Sequence, residues 1–583
     1  MKRRPSNYDK FPSIRVPVGR ESVWQGWPEI IARIGGEVAL GAQKISLEIY
    51  PGVYEEQVLG ALVEIWHPAH VFRTSDCWKT PQEIDAMVSR DLTDDPVFGR
   101  ISRLIIEDFA DPQRTAQLQA ACRSAEGVTL IVGTGTALVA PEPDVLILAD
   151  LARWEIQQRQ RANRIGNFPA GDVHESAAMK YKRAFFVDWR VADRIKRDLL
   201  ERIDYLLDTN DPATPKMSTG EAFRAGLQCA RNRPFRVVPF FDPGPWGGQW
   251  MREVCDLPDG PPNYAWCFDC VPEENSLLLN MAGVNIEIPA MDLVLGHPRE
   301  LLGDAAYARF GAEFPIRFDF LDTMQGGNLS LQVHPVHQYI IEHFGMAYTQ
   351  DESYYLLDAA PDACVYLGLK TGVDRKAMIR DLDHAQENGA PFEALNYVNK
   401  WPARKHDHFL IPAGTIHCSG ANSMVLEISA TPYIFTFKLW DWGRPGLDGR
   451  PRPIHLEHGT ANIQWDRDTE WVRKNLLNRI EKVGEGRGWR EERTGLHELE
   501  FIETRRHWFT SLVEHDASSG VHVLNLVEGE EAIIESPSAT FEPFHVHYAE
   551  TFIVPAQVGR YSVRPADGVR ECATIRAAVR TGA

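Results

Sequence analysis

The segment Leu329–Pro335, Leu-Ser-Leu-Gln-Val-His-Pro, sets an amide and an imidazole two residues apart. Along a strand, side chains alternate between faces, so Gln332 and His334 share one face while Leu331 and Val333 take the other. Downstream, Asp-Glu-Ser-Tyr-Tyr puts Glu352 at the entry of an aromatic strand, and His-Phe-Leu-Ile-Pro-Ala-Gly-Thr-Ile-His brings in His417 behind a turn at Pro412–Gly414. Two neutral imidazoles, a carboxylate and an amide oxygen form a donor set for Zn2+ or another first-row divalent metal. Taken singly, His334 and His417 read as satisfied core histidines and Glu352 as a solvated strand end; only the four together point to an ion. A weaker second metal candidate lies in Pro-Phe-His-Val-His-Tyr-Ala-Glu, which offers His545, His547 and Glu550 with no Pro-x-Gly-x-x-His segment after it. Cys267 and Cys270 make a poor zinc half-site, because no second pair follows at finger spacing.

The elements that must position these groups are short and β-rich. Pro234 opens a stretch dense in Pro, Gly and aromatics, Arg-Pro-Phe-Arg-Val-Val-Pro-Phe-Phe-Asp-Pro-Gly-Pro-Trp, which marks a domain boundary. Beyond it, strands are expected at Ser276–Leu279, Leu329–Val333, Tyr354–Leu357, Cys364–Leu369, His408–Ile411, Met424–Ile428 and Tyr433–Leu439. Further strands are expected at Trp508–Leu512, Val521–Leu526 and Thr551–Val554. Even spacing with little helix between implies a mainly-β pair of barrels or jelly rolls, at 234–475 and 476–583.

Residues 1–233 differ in kind. Strand-like Ile45–Tyr50, Val128–Val132, Val145–Leu148 and Ala184–Val187 alternate with the helical spacing of Pro112–Ala125 and Ala192–Leu207, which implies an α/β domain. The turn Gly133–Leu138 follows a strand but lacks the Gly-Lys-Ser/Thr ending that gives a phosphate loop its cation and hydroxyl. Arg153, Arg159, Arg161, Arg164, Arg194 and Arg197 look like the lid of a small P-loop kinase, a degenerate and non-catalytic resemblance without the loop itself.

From Pro234 onward the chain resembles the type I mannose-6-phosphate isomerases of the cupin superfamily. The resemblance is carried by Trp246–Gly248, then Leu-Ser-x-Gln-Val-His-Pro, a Glu opening an aromatic strand, Pro-x-Gly-Thr-x-His, Asp441–Arg444, and Arg452–His455, in that order. It implies a double cupin in which Gln332, His334, Glu352 and His417 take the zinc-ligand positions. It also implies that Glu427 and Lys438 stand at the catalytic carboxylate and cation positions, with Arg444 toward the substrate. Trp440 and Trp442 are candidates to stack on a sugar, although alternate aromatics on a strand more often fill a barrel core. The implied reaction is mannose 6-phosphate to fructose 6-phosphate, a proton passing between C1 and C2 through a cis-enediol. Three positions depart from the family: Lys438 replaces an Arg, Gln350 replaces a Lys, and Pro335-Val336-His337 replaces Pro followed by Asn or Asp. The alternative is a non-catalytic sugar- or metabolite-binding cupin with a regulatory N-terminal domain. An iron cupin dioxygenase is disfavoured by the Gln/His/Glu/His set.

Size and charge narrow the rest. A chain of 583 residues exceeds what one core supports. A net charge of −19 without clustered Lys and Arg argues against nucleic acid, yet leaves room for one small phosphosugar held by a few focused cations. The basic N-terminus is followed by no apolar run, and no stretch is long enough to span a membrane, so a cytoplasmic protein is expected. Nine scattered cysteines fit free thiols. No signal for an oligomeric state is present.

Overall fold

The computed structural model describes residues 6–580 apart from 170, 389, 431, 432, 434, 448, 450, 451, 453 and 496–499. The fold is mixed α/β and divides into two compact units. One is Ser13–Ala230 with Glu273–His297; the other is Met1–Pro12, Arg231–Pro272 and Pro298–Ala583.

In the first unit, five parallel strands lie in the order His70–Arg73, Thr129–Gly133, Lys44–Ile49, Val145–Asp150, Tyr205–Asp208. Lys216–Thr219 and then Val23–Gln25 continue the sheet antiparallel. The central strands are buried along almost their whole length, as continuous apolar runs must be when both faces of a parallel sheet are covered. The expected Ala184–Val187 strand is instead a π-helical turn, Ala184–Asp188, set between the helices Ala177–Arg183 and Trp189–Leu199. Its run of Ala-Phe-Phe-Val is buried on every side, and an apolar run without polar alternation carries no period by which strand and helix differ. The expected Ala192–Leu207 helix stops at Leu199, and Tyr205–Asp208 is the edge of the parallel set. The Ser276–Leu279 strand, read as part of the β-rich region, belongs to this unit: it extends to Met281, forms a hairpin with Val284–Pro289 and pairs in parallel with Ser13–Val16. The Pro-rich stretch at 234 marks a change of texture but not the later return of the chain.

The Gly133–Leu138 turn binds a carboxylate from its own unit. Gly133 and Gly135 hold φ of 124° and 79°, and the N–H groups of Gly135 and Thr136 donate to Glu48 at 2.6 and 2.8 Å. Burial pushes the Glu48 carboxyl up to about 7 against these bonds. Two of the lid-like arginines are spent inside the unit as well: Arg153 pairs with Asp193 and Glu273, and Arg159 donates to the carbonyls of Gly52 and Thr209 at 2.9 and 2.7 Å, while Arg161, Arg164 and Arg197 are exposed.

The second unit contains two pairs of antiparallel sheets. In the first pair, a six-stranded sheet runs His408–Ile411, Glu352–Ala359, Ser423–Ser429, Arg317–Asp322, Trp266–Cys270, Phe240–Asp242. A five-stranded sheet runs Val398–Pro402, Cys364–Leu369, His417–Ser419, Leu331–Val333, Phe437–Trp440. The last of these begins at Phe437, four residues later than expected, and residue 434 of the expected run lies outside the described residues. In the second pair, Ile502–Phe509, Cys572–Val579, His522–Glu528 and Thr551–Val554 form part of a six-stranded sheet. The strand expected at Trp508–Leu512 is this Ile502–Phe509, which ends as Thr510 and Ser511 turn. Val513–Asp516, Arg560–Pro565, Glu531–Glu535 and Phe544–His547 form the four-stranded partner. Leu524, Leu526, Phe552 and Val554 of the one sheet meet Ile534, Val546 and Val563 of the other in a shared core. Among the described residues no helix is long and apolar enough to cross a membrane, and all nine cysteines are free.

Candidate functional site

Register assembles the site. Gln332 is the Cα partner of His417 on one side and of Lys438 on the other, so the three stand in one row across the five-stranded sheet. On the facing sheet, Glu352 is opposite Ser429 and Tyr354 is opposite Glu427, which in turn is opposite Asp319. Directly opposed and diagonal residues of antiparallel strands share a face, so Glu352, Glu427 and Asp319 project together toward the histidine row.

Glu352 closes the gap between the sheets. Its Oε2 lies 3.0 Å from His334 Nε2 and its Oε1 lies 2.8 Å from His417 Nε2. The ligand-type atoms of His334, Glu352 and His417 all fall within 4.8 Å of one another, and all three residues are buried. Gln332 Nε2 stands 3.2 Å from His417 Nε2, and a half-turn of the amide presents its oxygen there instead.

Both imidazoles are anchored from behind. His334 Nδ1 is 2.8 Å from the Phe435 carbonyl and His417 Nδ1 is 2.9 Å from the Thr415 carbonyl. A carbonyl only accepts, so each Nδ1 carries the proton and each Nε2 presents a lone pair toward Glu352. His334 Nε2 and Glu352 Oε1 have no hydrogen-bond partner among the described residues. Two imidazole lone pairs and a carboxylate gathered this closely repel unless a cation or a proton sits between them. Burial alone pushes the Glu352 carboxyl up, yet the two histidines outweigh it and hold Glu352 well below the usual carboxylate range. His334 responds in the opposite sense: burial lowers it, and Glu352 raises it above the usual imidazole value. These residues therefore fit a divalent ion, and a proton is its stand-in when none is bound.

The loops are stitched to each other. Gly414, in the left-handed region at φ 87°, donates its N–H to the His334 carbonyl at 2.9 Å. Val336 N–H is held by the Asn462 side chain at 2.9 Å, and the buried Arg467 guanidinium reaches the carbonyls of Pro412 and Ala413, both at 2.7 Å, and the Thr415 hydroxyl. Neither Asn462 nor Arg467 carries a motif; their roles arise from a segment well beyond His417 folding back over the loop.

Residues 26–232 match the profile of a family described as "Domain of unknown function (DUF8485)". A "Mannose-6-phosphate isomerase" of Streptococcus mutans serotype c (strain ATCC 700610 / UA159) is 29% identical over 218 residues, which are 36% of this chain and 62% of that protein. "Mannose-6-phosphate isomerase ManA" of Bacillus subtilis (strain 168) is 27% identical over 232 residues, 40% of this chain and 68% of that protein. That segment is homologous to mannose-6-phosphate isomerases. The crystal structure of the mannose 6-phosphate isomerase from Bacillus subtilis aligns over 60% of this chain and 100% of its own, at 17% identity and a TM-score of 0.48. The chain thus spans 62% of the length of the streptococcal relative.

Around the cluster, charge is sorted by side. Burial raises the Glu427 carboxyl well above the usual range, and the neighbouring Glu352 and Asp319 add to it. Burial pushes Asp319 up to about 6 against the pull of Arg317, whose guanidinium donates to it at 3.2 Å. On the other side, burial brings the Lys438 amine down to about 7, helped by Arg452. Arg452 and Arg444 both pair with Asp441, at 3.0 and 2.8 Å, and the Ser330 hydroxyl joins them at 2.8 Å from Asp441. Two guanidiniums on one carboxylate, with Lys438 beside them, leave a cationic surplus. Trp440 stands two residues from Lys438 on the same strand, across a shift in register, its ring 6.3 Å from Phe392. The second metal candidate does not assemble: His545 is exposed and bonded to Glu531 at 2.6 Å, while Glu550 is held by Arg236 at 2.8 Å. His547 alone stays with Glu550, at 3.2 Å. Cys267 and Cys270 are buried thiols that burial pushes well up.

Proposed function

We propose that the chain is a phosphosugar aldose–ketose isomerase interconverting mannose 6-phosphate and fructose 6-phosphate, with its site in the first barrel of a double cupin. The observation that carries this reading is the convergence of two imidazole lone pairs, a carboxylate and an amide on one point, with a protonatable carboxyl on one flank and surplus cations on the other. The homologous segment supports the same chemistry. Gln332, His334, Glu352 and His417 would hold Zn2+ or another first-row divalent ion. When bound, such an ion polarises a carbonyl and a neighbouring hydroxyl of the sugar and offsets the charge of Glu352.

The chain's own groups do the rest. Glu427, which burial and the neighbouring Glu352 and Asp319 hold well above the usual carboxylate range, is the group that would take a proton from one sugar carbon and return it to the next. Lys438, with a pKa brought to about 7, stands where it can neutralise the negative charge that develops on the substrate oxygens. Arg444 and Arg452 present fixed donors suited to a phosphate, since the two guanidiniums share only one internal carboxylate, and Ser330 braces them by accepting from Arg452 and donating to Asp441. Burial of the cluster keeps bulk water from the carbanion-like centre. The test is a coupled assay of the purified chain with mannose 6-phosphate, with and without chelator. Chelator-sensitive formation of fructose 6-phosphate is expected; no turnover by metal-loaded protein would leave the site as a binding module.

A further inference from the structure

Gln350 precedes Glu352 by two residues, lies outside any strand and is nonetheless 2% exposed. Its Nε2 donates to Glu352 Oε2 at 2.9 Å and its Oε1 accepts the Phe435 N–H at 2.9 Å. The carbonyl of the same Phe435 receives His334 Nδ1 at 2.8 Å, and His334 Nε2 comes back to Glu352 Oε2 at 3.0 Å. Glu352, Gln350, Phe435 and His334 thus form a closed ring.

We propose that Gln350 is a positioning residue that sets the donor geometry of both Glu352 and His334, an inference that rests on the metal reading above. The directions of the three hydrogen bonds in the ring are forced. A backbone N–H only donates, so Phe435 fixes which end of the Gln350 amide is oxygen and turns the NH2 toward Glu352. The Phe435 carbonyl only accepts, so His334 must be protonated at Nδ1, which leaves Nε2 as the nitrogen that can face an ion. One lone pair of Glu352 Oε2 is occupied by the amide, which leaves Oε1 and the remaining pair for an ion. A single neutral side chain therefore holds the carboxylate, and through one peptide unit the imidazole, in their binding orientations. Outer groups that orient ligands in this way typically contribute 10- to 100-fold to metal affinity. No motif announces the role, because Phe435 meets Gln350 only through the fold.

The test titrates metal-free full-length protein with Co2+, followed by its visible absorption, and with Zn2+ against a competing chelator. The wild type, Gln350→Met, Gln350→Asn and Glu352→Gln are compared. Met keeps the shape of the side chain but neither polar group; Asn keeps both groups but is one methylene too short to reach both partners. Gln350→Met is expected to bind 10- to 100-fold more weakly, with a shifted cobalt band, while its metal-free form stays folded by circular dichroism. If Gln350→Met does not fold, the same loss is expected of Gln350→Asn. Wild-type affinity and an unchanged band in the folded Gln350 variants would overturn the proposal while the site itself stood. Wild-type protein that takes up no metal, or Glu352→Gln protein that binds as the wild type does, would overturn the site reading and the inference with it.

Discussion

Arg467 is the cation that holds the His417 loop, and replacing it with methionine measures what that grip is worth. Its Nη1 lies 2.7 Å from the Pro412 and Ala413 carbonyls and also meets the Thr415 hydroxyl. One such nitrogen has two hydrogens, so three acceptors share two bonds. A hydrogen bond from a charged donor is worth about 1.5–3 kcal/mol, so the pair amounts to roughly 3–6 kcal/mol. Removing a buried guanidinium also returns part of its desolvation cost, and methionine keeps most of the apolar stem, so a net local loss of about 2–4 kcal/mol is expected. Each 1.4 kcal/mol is tenfold, so amides of the loop should exchange roughly 30- to 1,000-fold faster. Hydrogen exchange read on peptides covering 409–420 is the assay, with the Gly414 amide, bonded to the His334 carbonyl at 2.9 Å, as the reporter. Metal affinity should fall in parallel, because the Thr415 carbonyl orients His417. Exchange within threefold of the wild type in a folded Arg467→Met protein would refute the reasoning.

Acid should destabilise the second unit from below about pH 6.5, by up to about 1.4 kcal/mol per pH unit for each buried histidine. Burial brings His408 down to about 3, holds His515 and His522 well below the usual imidazole value, and lowers His507. A depressed histidine stays neutral when folded while the unfolded chain gains its proton, so stability is present above the unfolded pKa and is lost as pH falls toward the folded one. Denaturant midpoints at pH 7, 6 and 5 check this, and a flat profile contradicts it. Glu427→Gln should lower kcat at least 100-fold with metal content unchanged; full turnover by the variant would remove Glu427 from the chemistry. Lys438→Arg cannot lose its charge near neutrality, so a descending limb of the pH–rate profile near pH 7 should move to higher pH; an unmoved limb would mean that Lys438 does not set it.

What could be read from the sequence was whatever depends on spacing within one segment. Gln332 and His334 share a face because strands alternate, and His417 follows its turn because Pro412 and Gly414 shape it; both inferences need only local geometry. Gln350, Arg467, Asn462 and the Asp319–Arg317 pair were silent, because each acts through a partner distant in sequence. In sequence Gln350 is only a departure from the lysine of the family, whereas its amide is bonded at both ends inside the site. For His545, His547 and Glu550 a local pattern meets a distant partner, since Arg236, far upstream, pairs with the Glu550 carboxylate at 2.8 Å. In the first unit, Ala184–Val187 was misread because a fully buried apolar run has no period to betray it, and Glu273–His297 was misplaced because texture marks where a composition changes, not where a chain returns.

The most direct measurement is elemental analysis of freshly purified wild-type, His417→Ala and Glu352→Gln proteins beside one another. Close to one equivalent of a first-row divalent metal in the wild type, and little in either variant, is the predicted result. Equal metal in all three, or none in a wild-type protein offered zinc, would contradict it.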